Sequence, residues 1–286
     1  ETINTCYVVD HKRKLYGSIE ATDLLFADEN DTIKNVCKTD IIYVSTYTDQ
    51  EEVANMFHKY NLTVMPVVDS EERLVGIITI DDVLDVLESE ATEDIKKMAA
   101  IIPVDKPYDK TGVFENFLAR IPWLLLLMIS ATFTGKIIES FESALSKMTI
   151  LTAFIPMLMD TGGNAGGQSS VSVIRALSLN DIKFKDIFKV MFKEFRVSIL
   201  CAVTLAVCNY FKLLIVDRVS TSVALCVCLT LIVTVILAKL IGCTLPMIAK
   251  KLGFDPAVMA SPFITTIVDA CSLIIYFNFA TFILGL

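Results

Sequence analysis

The sequence contains only two histidines, His11 and His58, and its eight cysteines include no Cys-x-x-Cys pair. A zinc site of the Cys/His type needs such ligands at close spacing, so the sequence offers little support for one. Six of the cysteines lie in apolar runs, where free thiols pack as small apolar side chains. These features argue against a zinc finger or a disulfide framework and favour reduced core thiols.

Charge is scarce in the second half of the chain. Residues 121–286 hold 9 acidic and 13 basic residues, a net charge of +4, whereas residues 1–120 hold 24 and 12, a net charge of −12. A mean hydropathy of +0.60 is too apolar for an ordinary soluble domain. We therefore predict an acidic soluble module joined to a membrane module. The acidic module attracts cations and repels nucleic acid, so no nucleic-acid partner is expected.

Five apolar segments are long enough to cross a lipid bilayer at a helical rise of about 1.5 Å per residue. They are residues 121–138, 148–177, 197–216, 219–249 and 262–286. The loop "RALSLNDIKFKDIFKVMFKEFR" between the second and third segments carries six basic residues, while its neighbours in span order carry two each. The positive-inside rule puts this loop in the cytosol. The acidic module is then cytosolic too, and the C-terminus lies outside the cell.

The soluble half contains an internal repeat, because an offset of 59 superposes residues 8–25 on residues 67–84. The second copy predicts a strand at 41–44, a helix at 49–60, strands at 64–68 and 74–79, and a helix from 82 to 87. The first copy lacks the opening strand and helix. The chain also starts at Glu1 without a visible signal peptide, so we expect a part of a longer protein.

This repeat resembles the cystathionine-β-synthase (CBS) domain pair, and "GIITIDDVLDVL" is close to the usual ending of that domain. The resemblance implies a regulatory α/β domain whose cleft binds adenosine nucleotides such as ATP. Thr79 and Asp82 of the "GxxTxxD" turn would hold the ribose, but the first copy has Glu20 where the Thr belongs. The alternative is a purely structural strand-to-helix turn.

Two acids, Asp160 and Asp269, lie inside apolar segments. A carboxylate at membrane depth costs about 2.5–3.5 kcal/mol on insertion scales, so it must face a cavity or a partner and is a functional candidate. Asp269 has no charged residue within ten positions along the chain. Asp160 has a structural alternative, because Lys239 in the fourth segment could neutralise it in an ion pair.

Asp160 lies in the passage "IPMLMDTGGNAGGQSS", residues 155–170. We expect its proline and glycines to break or thin a membrane helix, so that residues 156–168 line a conduit. A negatively charged lining selects cations. "LMDTGG" also matches the aspartic protease signature, but that site needs β-hairpin loops and the flanks here suit a membrane helix. The predicted lining residues are Pro156, Asp160, Gly162, Gly163, Asn164 and Gln168.

Together, "EATEDI", "RIPWLL", "PMLMDTGGNAGGQSS" and "DPAVMASPFITTIVD" resemble the MgtE-type magnesium channel/transporter family along essentially the whole chain. The resemblance implies a homodimer, not an enzyme, in the plasma membrane. It also implies that Asp269 from each chain holds a largely hydrated Mg²⁺ in a central pore. Thr265 and Ser261, one and two turns earlier, would face the same lumen, although the family often has Ala and Asn there. Asp160 departs from the family, which has a small residue before "TGGN".

In that family, cytosolic Mg²⁺ bound to acidic residues of the CBS and connecting-helix region closes the pore. The segment 83–101 is accordingly rich in acids, with five between positions 85 and 94, which repel one another unless cations intervene. A solvated helix face is the structural alternative. The ligands carried over from the resemblance are Asp49, Asp82, Asp85, Glu90, Glu93 and Asp94.

The expected fold is a cytosolic α/β CBS domain at 1–84, an acidic connecting helix and linker at 85–119, and a domain of five transmembrane helices at 120–286. The expected function is a Mg²⁺ channel or transporter gated by internal Mg²⁺. A divalent-cation exporter or exchanger on the same scaffold is the alternative, suggested by Asp160, Lys239 and Ser261. A non-conducting, membrane-anchored nucleotide sensor is the alternative from a different class.

Overall fold

The computed structural model describes residues 4–104, 106–259 and 261–285. The chain divides into two compact units, Glu1–Thr92 and Glu93–Leu286, here called the first and second units. The predicted division into three parts, 1–84, 85–119 and 120–286, stays a prediction.

The first unit holds two small sheets that repeat the same hairpin. Strands β1 and β2 pair antiparallel, while β4 pairs antiparallel with β5 and parallel with β3. Each antiparallel pair has a register shift at the equivalent place, after Val8 in one and after Val67 in the other. The 59-residue repeat is therefore visible in the backbone. The elements are β1 (Thr5–Val9), β2 (Leu15–Glu20), α1 (Ala21–Phe26), α2 (Ile33–Val36), β3 (Val44–Ser45), α3 (Gln50–Tyr60), β4 (Val64–Val68), β5 (Leu74–Thr79) and α4 (Ile80–Met98).

Helix α3 supplies one face of the buried core of the second copy. Asp49 is its N-cap and accepts a hydrogen bond from the N–H of Glu51 at 2.9 Å, and Asn61 ends it in the left-handed region with φ 51°. Its inner face, including the buried Phe57, packs on Met65 and Val83. Burial of this apolar face stabilises the copy.

Three predicted boundaries in this unit are wrong. The strand expected at 41–44 is only Val44–Ser45, since its short pairing with β4 begins at Val44. The helix expected at 49–60 starts one residue later, because its first residue caps it. The helix expected at 82–87 is much longer: α4 runs from Ile80 to Met98 with no proline or glycine to end it earlier.

The second unit is a bundle of long helices around α9. Helix α9 is the most buried of them and packs against α7, α8 and α10. Short 3₁₀ turns precede α7, α8 and α10. The helices are α5 (Val113–Ser140), α6 (Glu142–Lys147), α7 (Ile155–Ser178), α8 (Ile187–Ile215), α9 (Thr221–Lys251) and α10 (Ser261–Leu284).

Within the described residues, four helical segments are long and apolar enough to cross a membrane: Val113–Ser140, Phe184–Ile215, Thr221–Lys251 and Pro256–Leu284. These correspond to four of the five predicted spans. Helix α7 is not among them, because its Asp, Asn, Gln, Ser and Gly residues lower its hydropathy. The count of five spans stays a prediction.

Helix α7 is continuous, so the expected break at its proline and glycines is wrong. Pro156 lies in the first turn, where its missing N–H has no helical partner to lose. The glycines instead allow close packing. A Cβ on Gly166 would lie 2.8 Å from Ile264 Cγ2, and one on Gly242 would overlap the Gly166 carbonyl oxygen. Helices α7 and α9 therefore meet backbone to backbone.

This contact predicts a strong response to Gly242→Ala. The new methyl group has no space against the Gly166 backbone, so we expect the substitution to lower the free energy of unfolding by about 1–3 kcal/mol. Thermal unfolding of the detergent-solubilised protein measures the change. Gly135→Ala on α5 is the matched control, since nothing lies within 4 Å of its added Cβ and alanine favours helix. Equal unfolding temperatures for both variants would contradict the packing argument.

Candidate functional site

Helix α7 separates its polar residues from its glycines. Residues four positions apart share one face of a helix, and the stripe at positions 156, 160, 164 and 168 is exposed. Gly162 and Gly163 are buried on another face. Of the predicted lining residues, the structure thus aligns Pro156, Asp160, Asn164 and Gln168 and gives the two glycines a packing role.

Three of these stripe residues form one wall of an open cleft of about 570 Å³ in the second unit. Helix α8 supplies the opposite wall and α9 contributes Lys239, which is only 5% exposed. The cleft is polar on its α7 side and apolar along most of α8. Its lining includes Asp160, Asn164 and Gln168 from α7, Leu200 and Thr204 from α8, and Val235 and Lys239 from α9.

Asp269 lies on α10, which packs on α7 through a glycine contact. A Cβ on Gly163 would lie 2.8 Å from Thr265 Cγ2, so Thr265 sits directly against α7. The Thr265 hydroxyl donates to the Pro262 carbonyl at 2.9 Å, and Asp269 is partly buried one turn later. The Asp160 and Asp269 carboxylates are close enough for their charges to interact. The side chain of Ser261 lies outside the described residues.

The ion pair between Asp160 and Lys239 is not formed. Both side chains line the cleft, but among the described residues no carboxylate oxygen lies within 4.0 Å of the Lys239 ammonium. The Lys239 backbone carbonyl instead lies 3.0 Å from the buried hydroxyl of Ser169, which is also 2.9 Å from Glu194 Oε2. Sequence reasoning missed Ser169 and Glu194. The signal available was Glu194, an acid between Lys193 and Arg196 in a strongly basic stretch.

In the first unit, Thr79 and Asp82 bond to each other. Thr79 donates to Asp82 Oδ2 through its backbone N–H at 3.0 Å and its hydroxyl at 2.8 Å. The backbone bond, followed by the hydroxyl bond, holds the pKa of Asp82 below its usual value. This is the geometry of the structural strand-to-helix turn. Asp82 also borders a cleft of about 280 Å³ with Thr46, Thr48 and Gln50, and Glu20 borders a separate cleft of about 500 Å³ with Lys38.

The six acids expected to bind regulatory metal are spread along the chain. Asp49 caps α3, and Glu90 accepts a hydrogen bond from Gln50 Nε2 at 2.6 Å. Asp94 accepts one from the Ser178 hydroxyl at 3.3 Å. No group of three or more His, Cys, Asp or Glu side chains able to hold a metal ion occurs in the described part of the chain. Their role as ligands stays a prediction.

Lys97 supplies the positive charge at the C-terminal end of α4. Its ammonium forms ion pairs with Glu93 and with Asp255 of the loop before α10. Burial opposes the charge on Lys97, but the bonds to Asp255 and Glu93 outweigh it and raise the pKa of Lys97. Nearby, Met98 packs on Ile174 and Ala257. The end of α4 is thereby fastened to the helical bundle of the second unit.

Comparison with known proteins shows which family the chain resembles. The family model MgtE, described as "Divalent cation transporter", matches residues 155–279, and the CBS domain model matches residues 33–89. The magnesium transporter MgtE of Thermus thermophilus is 41% identical over 290 residues, covering 99% of this chain and 63% of the relative. The chain is similar to MgtE proteins along nearly its whole length. The resemblance seen in the sequence is confirmed.

Further MgtE relatives agree. The magnesium transporter MgtE of Bacillus subtilis is 36% identical over 285 residues, covering 98% of this chain and 62% of the relative. The chain therefore spans less than two thirds of the length of these curated relatives. They are named as transporters and not as enzymes, in agreement with the expectation from the sequence.

Among solved structures, the cytosolic domain of the Mg²⁺ channel MgtE in complex with ATP is 51% identical. The match covers 30% of this chain and 35% of that chain, with a TM-score of 0.29. The soluble part of a magnesium transporter is 38% identical, the match covers 32% and 36% of the two chains, and the TM-score is 0.31.

The turn at Asp82 predicts a pH-dependent stability. Because folding lowers the pKa of Asp82 from 3.8, its carboxylate stabilises the fold above that pH, and the contribution is lost as pH falls through the lower folded value. We expect Asp82→Asn to unfold at a lower temperature than the wild type near neutral pH, with a gap that narrows below about pH 4. Thermal unfolding over a pH series tests this.

Asp81→Asn is the matched control for this experiment, because it removes the neighbouring carboxylate and leaves the bonds between Thr79 and Asp82 intact. A gap between Asp82→Asn and the wild type that stays constant down to strongly acidic pH would show that the charge of Asp82 does not contribute.

Proposed function

We propose that the protein is a homodimeric channel or transporter for Mg²⁺ and related divalent cations in the plasma membrane. The observation that carries the proposal is the pair of carboxylates, Asp160 and Asp269, on two helices that pack together within an apolar bundle. Two neighbouring acids at this depth repel each other and favour a bound cation. The match of residues 155–279 to a family model described as a divalent cation transporter supports the same interpretation.

In this proposal α7 also crosses the membrane, as the second of five spans in the order α5, α7, α8, α9 and α10. Its 24 residues reach roughly 36 Å, which exceeds the hydrocarbon core of a bilayer. The polar groups of such a helix must face protein or water and not lipid. In α7 the glycine and serine face packs on protein, and the Asp, Asn and Gln side chains face the cleft. Five spans put the CBS domain in the cytosol and the C-terminus outside.

Mg²⁺ chemistry supports the dimer. The ion gives up its water reluctantly and prefers an octahedral shell of oxygens, so a pore should hold it through its waters. Asp269 from two copies would supply two charges on a twofold axis. Thr265 keeps a lone pair of its hydroxyl oxygen for such a water, since it donates its hydrogen to its own helix. Ser261 is proposed as the third oxygen ligand of each chain.

We propose that internal Mg²⁺ regulates the pore through the acidic residues of the CBS and connecting-helix region. Support comes from the C-terminal end of α4, where Lys97 forms ion pairs with Glu93 and Asp255, and Asp94 accepts a hydrogen bond from Ser178, all within the second unit. Cations that neutralise the remaining acids would strengthen this fastening. The proposed ligands are Asp49, Asp82, Asp85, Glu90, Glu93 and Asp94.

Nucleotide binding is a further part of the proposal. The related MgtE cytosolic domain was solved in complex with ATP, which supports a nucleotide in the CBS clefts here. The mutual bonds of Thr79 and Asp82 mean that a ribose would have to compete for Asp82 Oδ2.

The cleft favours one alternative, a divalent-cation exporter or exchanger. Asp160 and Lys239 put opposite charges into one cavity of the membrane unit, which is an arrangement suited to coupling two ions. A requirement of the flux for a counter-ion distinguishes an exchanger from a channel. Absence of any flux would favour the non-conducting nucleotide sensor.

The central test is Asp269→Asn in proteoliposomes. Loss of the charge should reduce Mg²⁺ flux by at least about tenfold, because the amide holds a hydrated dication much less well. A fluorescent Mg²⁺ indicator inside the vesicles records the flux. Asp217→Asn is the control, since Asp217 forms an ion pair with Lys212 at the end of α8. Full flux in Asp269→Asn would refute the proposed pore.

Regulation is tested with Asp85→Asn combined with Glu90→Gln. Removing two acids from α4 should raise the internal Mg²⁺ concentration that half-inhibits flux by several-fold, because fewer oxygens hold the regulatory cations. Glu71→Gln, an exposed acid of the β4–β5 turn, serves as the control. Unchanged inhibition in the double variant would rule out these two residues as regulatory ligands.

A further inference from the structure

Lys239 is a largely buried lysine that neither the packing of the bundle nor the proposed Mg²⁺ pore uses. Its residue is only 5% exposed, in the middle of α9, and it lines the cleft beside Asp160, Asn164 and Gln168. A lysine is almost never buried to this extent unless it is paired. Packing alone therefore does not explain why a lysine occupies this position in the cleft wall.

Acids on three neighbouring helices have to be considered: Asp160 of α7 lines the cleft, Glu194 of α8 contacts Ser169, and the charge of Asp269 on α10 interacts with that of Asp160. None brings a carboxylate oxygen within 4.0 Å of the ammonium among the residues that the structure describes. Glu194 is engaged with the Ser169 hydroxyl. Lys239 therefore has no direct ion pair, and its ammonium opens to the cleft, since it is not among the buried polar atoms of the described residues that lack a hydrogen-bond partner. An ionisable side chain at this depth is typical of a functional position.

Asp160 is the acid that shares the cleft with Lys239. The lysine side chain is a flexible four-carbon stem of roughly 6 Å with a compact charge at its tip, so it can move within the cleft. A divalent cation held by Asp160 and a lysine ammonium repel each other. Each therefore weakens the binding of the other near the same carboxylate.

We propose that Lys239 is a tethered competitor of the transported cation: its ammonium lowers the affinity of the Asp160 side of the pathway for divalent cations and so speeds their release. This inference rests on the proposed function and adds a specificity-determining residue to it. It also gives Asp160 a role, since the additional carboxylate would otherwise hold a dication too tightly for rapid passage.

The test is Lys239→Met in the full-length protein, with Mg²⁺ flux measured in proteoliposomes over a range of Mg²⁺ concentrations. We expect the half-saturating concentration and the maximal flux both to fall, the first by about tenfold, because the ion binds more tightly and leaves more slowly. Lys239→Arg should stay close to the wild type. Lys189→Met, which removes an exposed lysine of α8, should change neither value.

The combination with Asp160→Asn decides whether the two charges act together. If they do, Lys239→Met has little effect on the half-saturating concentration in the Asp160→Asn background. An unchanged concentration in Lys239→Met, or an equal shift in both backgrounds, would overturn the inference.

Equilibrium titration of the purified variants with Mn²⁺, a spectroscopically visible stand-in for Mg²⁺, gives a second readout that does not depend on flux. Tighter Mn²⁺ binding by Lys239→Met or Lys239→Gln than by the wild type supports the inference, and equal binding overturns it. A wild-type protein that binds Mn²⁺ but carries no flux would overturn the proposed function. The titration would then still decide whether Lys239 weakens cation binding. Lys239→Gln keeps a polar side chain and serves if the methionine variant does not fold.

Discussion

The backbone contact between α7 and α9 is the constraint on which the second unit depends. Because Gly166 and Gly242 have no side chains, the backbones of α7 and α9 come into direct contact, and no room is left between them for a Cβ atom. In an apolar bundle such close contact is a main source of helix association, because lipid offers no hydrophobic gain over protein. It also fixes the rotation of α7. With its glycines turned inward, the stripe that contains Asp160 must turn to the cleft.

The rotation of α7 explains how a polar helix is stable in this bundle. Its small residues contact α9 and α10, and its Asn, Gln and Asp side chains line a cavity that can hold water. Neither face needs lipid. Helix α7 therefore has a composition that a search for apolar spans does not recognise, although it lies at the centre of the proposed pathway.

The sequence predicted the parts of the fold that follow from periodicity. The strands at 64–68 and 74–79 have the expected bounds, and the 59-residue repeat returns as two hairpins with equivalent register shifts. Residue types alone did not distinguish a glycine that breaks a helix from a glycine that packs one, because that depends on what lies opposite. Gly162 and Gly163 were therefore assigned to the lining of a conduit but are buried against α9 and α10. The same limit applies to Asp160 and Lys239, whose ion pair was a reasonable expectation from charge alone.

Lys97 and Lys239 show how pairing separates a structural lysine from a functional one. Lys97 lies between two carboxylates, and its bonds to Asp255 and Glu93 outweigh the penalty of its partial burial. Its charge is satisfied, so it fastens α4 and has little left to offer a third partner. The residue Lys239 is more deeply buried and lacks such a pair among the described residues, and its ammonium opens to the cleft. A charge held in that condition responds to any ion that enters the cleft, which is the property that a conduction pathway can use.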